Sequence, residues 1–268
     1  MQDVIINADD YAMDSAVDAA ILQLADRGVV TATSAMVLSP DWPRAAKALR
    51  DAPLSRGLHL DFTSPFTGEV FPRQSITGLT IRTHTGVLDR KRVKQSIEHQ
   101  FVLFEEHMKD VPDFVDGHQH AHQLPVVREA LLEVLRQRYG SEASRVGLRI
   151  CVPRKWRGLR ASIIARTGSI RFDELAAASG YAANSDFAGV YDFNENADLE
   201  QFWTCWLSGL EGPLPLIMCH PAGRSDYCGD DPIRGARYRE YDWLLSPEFE
   251  ALTQRVSKRP ARWPLASP

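Results

Sequence analysis

Val4-Ile5-Ile6-Asn7-Ala8-Asp9-Asp10, near the start of a 268-residue chain, is a β-branched apolar run that ends abruptly in two acids. That composition suits a buried strand delivering carboxylates at its C-terminal end. Asp14 or Ser15 can cap a helix directly after it. Val17, Ala20, Ile21, Leu24 and Ala25 then recur at helical spacing until Gly28 stops the run. A second apolar stretch, Val29 to Leu38, follows.

The same rhythm continues outward. Trp42 to Asp51 reads as a helix and Gly57 to Phe62 as a strand. Arg90 to Lys109 is a long helix, and Phe114-Val115 a strand entering Asp116. Pro125 to Tyr139 and Leu199 to Leu210 read as helices, Gly147 to Cys151 and Leu214 to Cys219 as strands. Such alternation predicts parallel βα units in one sheet. An open doubly wound sheet would alternate in the same way, but it usually carries a glycine-rich phosphate loop in its first βα turn, and here that turn is acidic. The expected fold is therefore α/β, a TIM-like (β/α) barrel, distorted or seven-stranded. It occupies one catalytic domain over residues 1–257, and the proline-rich 258–268 is expected as a loose tail. Ser64 to Asp89 breaks the rhythm and is expected to form a loop or small excursion over the barrel mouth.

Five of the eight histidines (His59, His118, His120, His122 and His220) lie at or near predicted strand ends, where barrel enzymes assemble their sites. Asp116-Gly117-His118-Gln119-His120-Ala121-His122 is the densest cluster. Alternation along an extended chain would turn its four ionisable side chains to one face, and holding so many there without a task is costly. Singly the other signals are weak, since a lone strand histidine such as His59 more often satisfies the core, and an Asp-Asp pair more often caps a turn. Together, two neutral imidazoles and one carboxylate make an open metal site with positions left for water and substrate. A metal so held polarises an amide carbonyl and lowers the pKa of water, and a second carboxylate beside it can act as general base. Neighbours on a strand point apart, but where the backbone turns at its end both Asp9 and Asp10 can reach one site.

The stretches N-A-D-D-Y, T-A-T-S-A-M-V, G-L-H-L-D-F-T, D-G-H-Q-H-A-H-Q-L-P and C-H-P, in this order, resemble the YdjC/ChbG family of carbohydrate deacetylases. The likeness runs from Val4 to about Phe249, and some segments read like a branch close to hopanoid-biosynthesis proteins. It implies a TIM-like barrel, a divalent metal, an N-acetylated sugar or glycolipid as substrate, and a possible homodimer. Carried over, it makes Asp10, His59 and His118 the metal ligands, Asp9 the general base, and His220 an acid or oxyanion-stabilising group. Arg149 could hold Asp9 ionised by pairing with it, or could be a solvated surface arginine. His120, His122 and Tyr11 would line the site or orient the ligands. The metal suggested by the resemblance is Mg²⁺, whereas the imidazole-rich donor set suits Zn²⁺. The family usually follows its Asp-Asp pair with Phe-Gly. Here Tyr11-Ala12 stands instead, and Asp18 occupies a position commonly held by Asn.

Composition narrows the alternatives. Hydrophobic residues make up 44% of the chain, enough for a large core, and the net charge is −4. Without a conspicuous Lys/Arg block, nucleic acid and anionic membranes are not expected partners. Cys151, Cys205, Cys219 and Cys228 form no C-x-x-C pair, so neither a disulfide framework nor a cysteine zinc site is expected. The first residues lack the features of a secretory signal and no apolar run reaches about 20 residues, so a cytoplasmic protein is expected. Competing functions are a barrel sugar isomerase or phosphoesterase, or a non-catalytic carbohydrate-binding homologue. Isomerases often bring a lysine to the site, and none accompanies these clusters. Simple binding needs no base such as Asp9.

Overall fold

The computed structural model describes residues 1–68, 71–225 and 231–264. In its first half, β1 (Gln2–Tyr11), α1 (Ser15–Asp26), β2 (Ala32–Ala35), α2 (Trp42–Leu49) and β3 (Ser55–Leu60) alternate as the sequence suggests. An additional helix, α3 (Ile76–His84), precedes α4 (Arg90–Met108), β4 (Phe114–Gly117), α5 (Val127–Tyr139) and β5 (Gly147–Leu148). The second half holds α6 (Leu159–Ile164), α7 (Ile170–Ala178), β6 (Phe187–Ala188), α8 (Leu199–Gly209) and β7 (Leu216–Cys219). The chain then forms α9 (Arg234–Leu244), α10 (Pro247–Arg255) and β8 (Lys258–Pro260).

Seven strands pair in the order β5-β4-β3-β2-β1-β7-β6, with parallel neighbours throughout. β1 is central, and every residue from Val4 to Tyr11 is buried, as a strand covered on both faces requires. The sheet curls into a distorted, open half-barrel wrapped by helices. At the seam, β5 meets the approach to β6 through the single bridge Leu148–Ala183. The Asn184 side chain replaces further ladder bonds there, accepting from the Ile150 N–H at 2.7 Å and donating to its carbonyl at 2.9 Å.

One expectation needs correction. The end of the chain is not a loose tail from residue 258. β8 pairs in parallel with the start of β1, and Trp263 is buried in a stack on Phe114 with ring centroids 5.0 Å apart. Proline is tolerated in β8 because this short strand lies at the edge of the pairing. Residues 265–268 lie outside the described residues. Ser64 to Asp89 holds a short helix: Ser75 caps α3, whose Leu79 is fully buried. α3 packs against the 118–123 turn at the C-terminal ends of the strands, so the excursion does sit at the barrel mouth. Glu69 and Val70 of that segment lie outside the described residues. Among the described residues, no helix is long and apolar enough to cross a membrane.

Candidate functional site

Register places the site. Along β1 and β2 the partners step from Ala8–Thr33 to Tyr11–Ala35, which leaves one extra residue in β1. This bulge, with Asp10 at φ 70° and Ala12 at φ 71°, breaks the strict alternation of the strand. Asp9 and Asp10 can therefore serve the same cluster. Non-glycine residues in this region of conformational space carry a strain of order 1 kcal/mol or more, and Asp18 supports the turn. Its Oδ1 accepts the Ala12 N–H at 2.7 Å while Arg44 holds its Oδ2 at 2.7 Å.

β3 and β4 align His59 directly with Asp116. From that pairing the His59 Nδ1 reaches Asp116 Oδ1 at 2.6 Å, which turns Nε2 toward Oδ1 of Asp10 at 3.3 Å. With Asp116 accepting from Nδ1–H, the Nε2 lone pair is the one left facing the cluster. After Gly117 the chain abandons the extended form. Gln119 and His120 adopt φ 51° and 60°, and residues 118–123 wind into a tight 3-10 turn. A Cβ on Gly117 would sit 3.0 Å from His122 and from the Leu60 carbonyl, tighter than ordinary contact, so the turn closes most easily around a residue without a side chain. The turn brings His118 Nδ1 to 2.9 Å from the same Asp10 oxygen.

Ligand atoms of Asp10, His59 and His118 thus lie within 4.8 Å of one another, as do those of Asp9, His59 and Asp116. The donor set fits a divalent cation, and so does its charge. Burial disfavours a charged His59, yet the Asp116, Asp10 and Asp9 carboxylates outweigh it and push the imidazole up to about 10. The same carboxylates would meet the charge of a bound cation.

Arg149 is fully buried, which removes the alternative of a solvated surface arginine. Its Nη1 lies 2.7 and 2.9 Å from the two Asp9 oxygens and 3.0 Å from Asp116 Oδ2. Burial opposes charge on Asp9, but Arg149 above all, with His59 and His220, holds its carboxyl well below the usual carboxylate range. Asn7 adds a hydrogen bond to Asp9 at 2.7 Å. His220 immediately follows β7, whose Cys219 pairs with Ala8, and its Nε2 stands 3.9 Å from Asp9 Oδ2.

Three candidates are not where alternation puts them. His122 is fully buried behind the site, its Nε2 2.9 Å from the Arg149 carbonyl and its ring edge-on to Phe172. It braces the Arg149 backbone and does not line the site. His120 turns toward Cys151, with Nδ1 and Sγ 3.5 Å apart, and packs edge-on to Phe187. The one-face expectation fails because it assumed an extended chain beyond Gly117. Tyr11 is fully buried, its hydroxyl donating to the Ala45 carbonyl at 2.9 Å, and has no surface to offer a substrate.

Two further residues complete the cluster. Arg237 on α9 is almost wholly buried and donates from Nη2 to Asp10 Oδ2 at 2.7 Å. Glu240, one turn on, accepts the Tyr191 hydroxyl at 2.7 Å and the His220 backbone N–H. Both lie in R-Y-R-E-Y-D-W-L-L-S, a stretch that shares the family likeness, but their helical spacing, two charged residues three apart, is ordinary on an exposed face and does not single them out.

Comparison with known proteins places the chain in a family and supports its fold. The YdjC-like protein family model matches residues 3–255. The chitooligosaccharide deacetylase of Yersinia pestis (strain Pestoides F) is 28% identical to this chain, the match covering 94% of each. A crystal structure of a candidate cellobiose-phosphate cleavage protein from Enterococcus faecalis V583 is 23% identical, with a TM-score of 0.71 over 98% of this chain and 97% of that one. The polysaccharide deacetylase Bc1974 from Bacillus cereus, 9% identical, shares the fold at a TM-score of 0.51 over 100% of this chain and 95% of that one. On the extent of the family match, together with the strand-end Asp and His cluster, this chain belongs to the YdjC-like protein family.

Proposed function

We propose that this chain is a divalent-metal-dependent deacetylase that removes the acetyl group from an N-acetylated sugar. The observation that carries the reading is the convergence of Asp10, His59 and His118 on one point, with the ionised Asp9 alongside. The name of the Yersinia pestis relative supports a carbohydrate amide as substrate. Mg²⁺ is favoured by the family likeness and Zn²⁺ by the imidazole donors. A bound divalent ion would polarise the acetyl carbonyl and lower the pKa of the attacking water.

The protein's own residues then divide the proton work. Asp9 accepts a proton from water as its oxygen adds to the carbonyl carbon. Arg149 keeps Asp9 ionised and its two oxygens fixed, so the acceptor form is present across the physiological range. His220, on the other side of Asp9, passes a proton to the sugar nitrogen as the C–N bond breaks. Acetate and a free amino sugar result. The α3 excursion at the mouth selects among sugars, and the reaction takes place in the cytoplasm.

Acetate release measured on a panel of N-acetyl sugars and glycolipids, with chelator and with added Mg²⁺ or Zn²⁺, tests the reading. Release that depends on metal is expected. No release from any N-acetylated substrate under any metal condition would sink it.

A further inference from the structure

Among the described residues, half of the strongly exposed large apolar side chains fall in one short stretch. Trp156 is 80% exposed, Leu159 72%, Ile163 51% and Ile170 46%. Leu159 and Ile163 stand one turn apart on α6 and share a face, while Ala161 is buried. Large apolar residues outward and alanine inward is the reverse of the pattern a surface helix ordinarily shows. Such a face is built to be covered.

Charge identifies the cover. Between Glu142 and Asp173 the chain has seven arginines and one lysine and no acidic residue at all, in a protein of net charge −4. Arg157 and Lys155 are tied to Asp186 and Glu211. Arg160 and Arg166, interleaved with the exposed apolar residues, are themselves exposed and have no acidic partner among the described residues. The mild overall charge conceals this local excess. Tryptophan, aliphatic residues and arginine together in one exposed stretch is the composition of a segment lying in a lipid headgroup layer, where apolar groups enter the acyl boundary and guanidinium groups meet phosphate.

The patch is anchored to the mouth. Gln123, at the end of the turn that carries His118, donates to the Ile164 carbonyl at 2.7 Å, and Ser169 accepts the Cys151 N–H at 2.7 Å. We propose that the α6 face docks the protein peripherally on an anionic bilayer, with the barrel mouth beside the lipid surface. This docking is independent of the reaction assigned above, and its test reads no deacetylation.

Flotation of the full-length protein with phosphatidylcholine vesicles, with and without phosphatidylglycerol, provides that test. The protein is expected to float with the anionic vesicles only, and less as salt screens the contact. A Trp156→Ala/Leu159→Ser/Ile163→Ser variant and an Arg160→Glu/Arg166→Glu variant should each bind about tenfold or more weakly. Their melting temperatures should match the parent, because every substituted side chain is exposed. Absence of flotation, or flotation that both variants retain in full, would overturn the proposal. So would sedimentation showing a dimer that the apolar variant dissociates, since a second copy would then be what covers the face.

Discussion

Arg237 donates from Nη2 to Oδ2 of Asp10 at 2.7 Å and from Nε to Oδ2 of Asp231 at 2.8 Å. One buried guanidinium thereby joins α9 to the strained end of β1. It also occupies one oxygen of Asp10 and leaves the other, Oδ1, facing His59 and His118. Replacing it by an apolar side chain removes the guanidinium partner of two carboxylates whose side chains are buried, a change that commonly costs up to about 3–5 kcal/mol. Arg237→Met should therefore melt well below the parent when metal is removed, and a divalent cation should recover more of the loss for the variant than for the parent. Melting curves with chelator and with added metal check this. Equal melting temperatures for the two proteins without metal would show that Arg237 does not support Asp10.

Asp9 and Asp10 should fail in different ways. Asp10→Asn removes a charged oxygen donor from the ligand set, so metal content should fall along with activity. Asp9→Asn keeps the shape but cannot take a proton, so metal should be retained while turnover falls about 10²–10⁴-fold. The Arg149 contacts add a consequence, because Asp9→Asn leaves that fully buried guanidinium with Asp116 as its remaining carboxylate. Stability should fall as well. Metal analysis, melting and acetate release on both variants separate these effects, and full activity in Asp9→Asn would remove Asp9 from the base role.

Much of this site was legible in the sequence because strand ends are marked by composition. A β-branched run closing on Asp9-Asp10, and histidines at the ends of other strands, point to a strand-end cluster, and the family resemblance singles out Asp10, His59 and His118 within it. What stayed hidden lies where the chain leaves its period. Gln119 and His120 take left-handed φ values, which scatter His118, His120 and His122 although their spacing suggests one face. Tyr11 follows the bulge and turns inward to Ala45. Arg237 comes from a helix whose polar residues look solvated until its side chain meets Asp10 at the end of β1, and the pairing of β8 depends on a neighbour more than 250 residues away.

Asp116 should act on metal affinity rather than on the proton transfers. Its carboxylate fixes the His59 ring through Nδ1 at 2.6 Å, and such partners of a ligating histidine typically contribute 10–100-fold in affinity. Asp116→Asn should bind metal about that much more weakly, with activity restored by excess metal. Titration calorimetry and metal-dependent rates provide the readout. A rate that stays low at saturating metal would assign Asp116 a direct part in the reaction.

Asp18 gives the turn a pH dependence of unusual sign. Burial, only partly offset by the Ala12 N–H and Arg44, pushes its carboxyl up to about 6, above the 3.8 of a free aspartate. The folded state therefore holds the proton more tightly than the unfolded chain. Its contribution to stability is full below pH of about 4 and is lost as the pH rises through about 6. Asp18→Asn keeps an oxygen for the Ala12 N–H, 2.7 Å away in the parent, but cannot titrate. It also forfeits the ion pair with Arg44, whose side chain is 55% exposed, so that loss is at most about 1 kcal/mol. The loss develops only as Asp18 ionises and so works against the gain from removing a buried charge. Because burial outweighs the pairing, the melting temperature of the variant minus that of the parent should rise between pH 4 and pH 7, by roughly 2–4 °C for each kcal/mol recovered. Melting curves at closely spaced pH values measure that difference directly. A difference that falls with rising pH would mean that the Arg44 pairing outweighs burial at this turn.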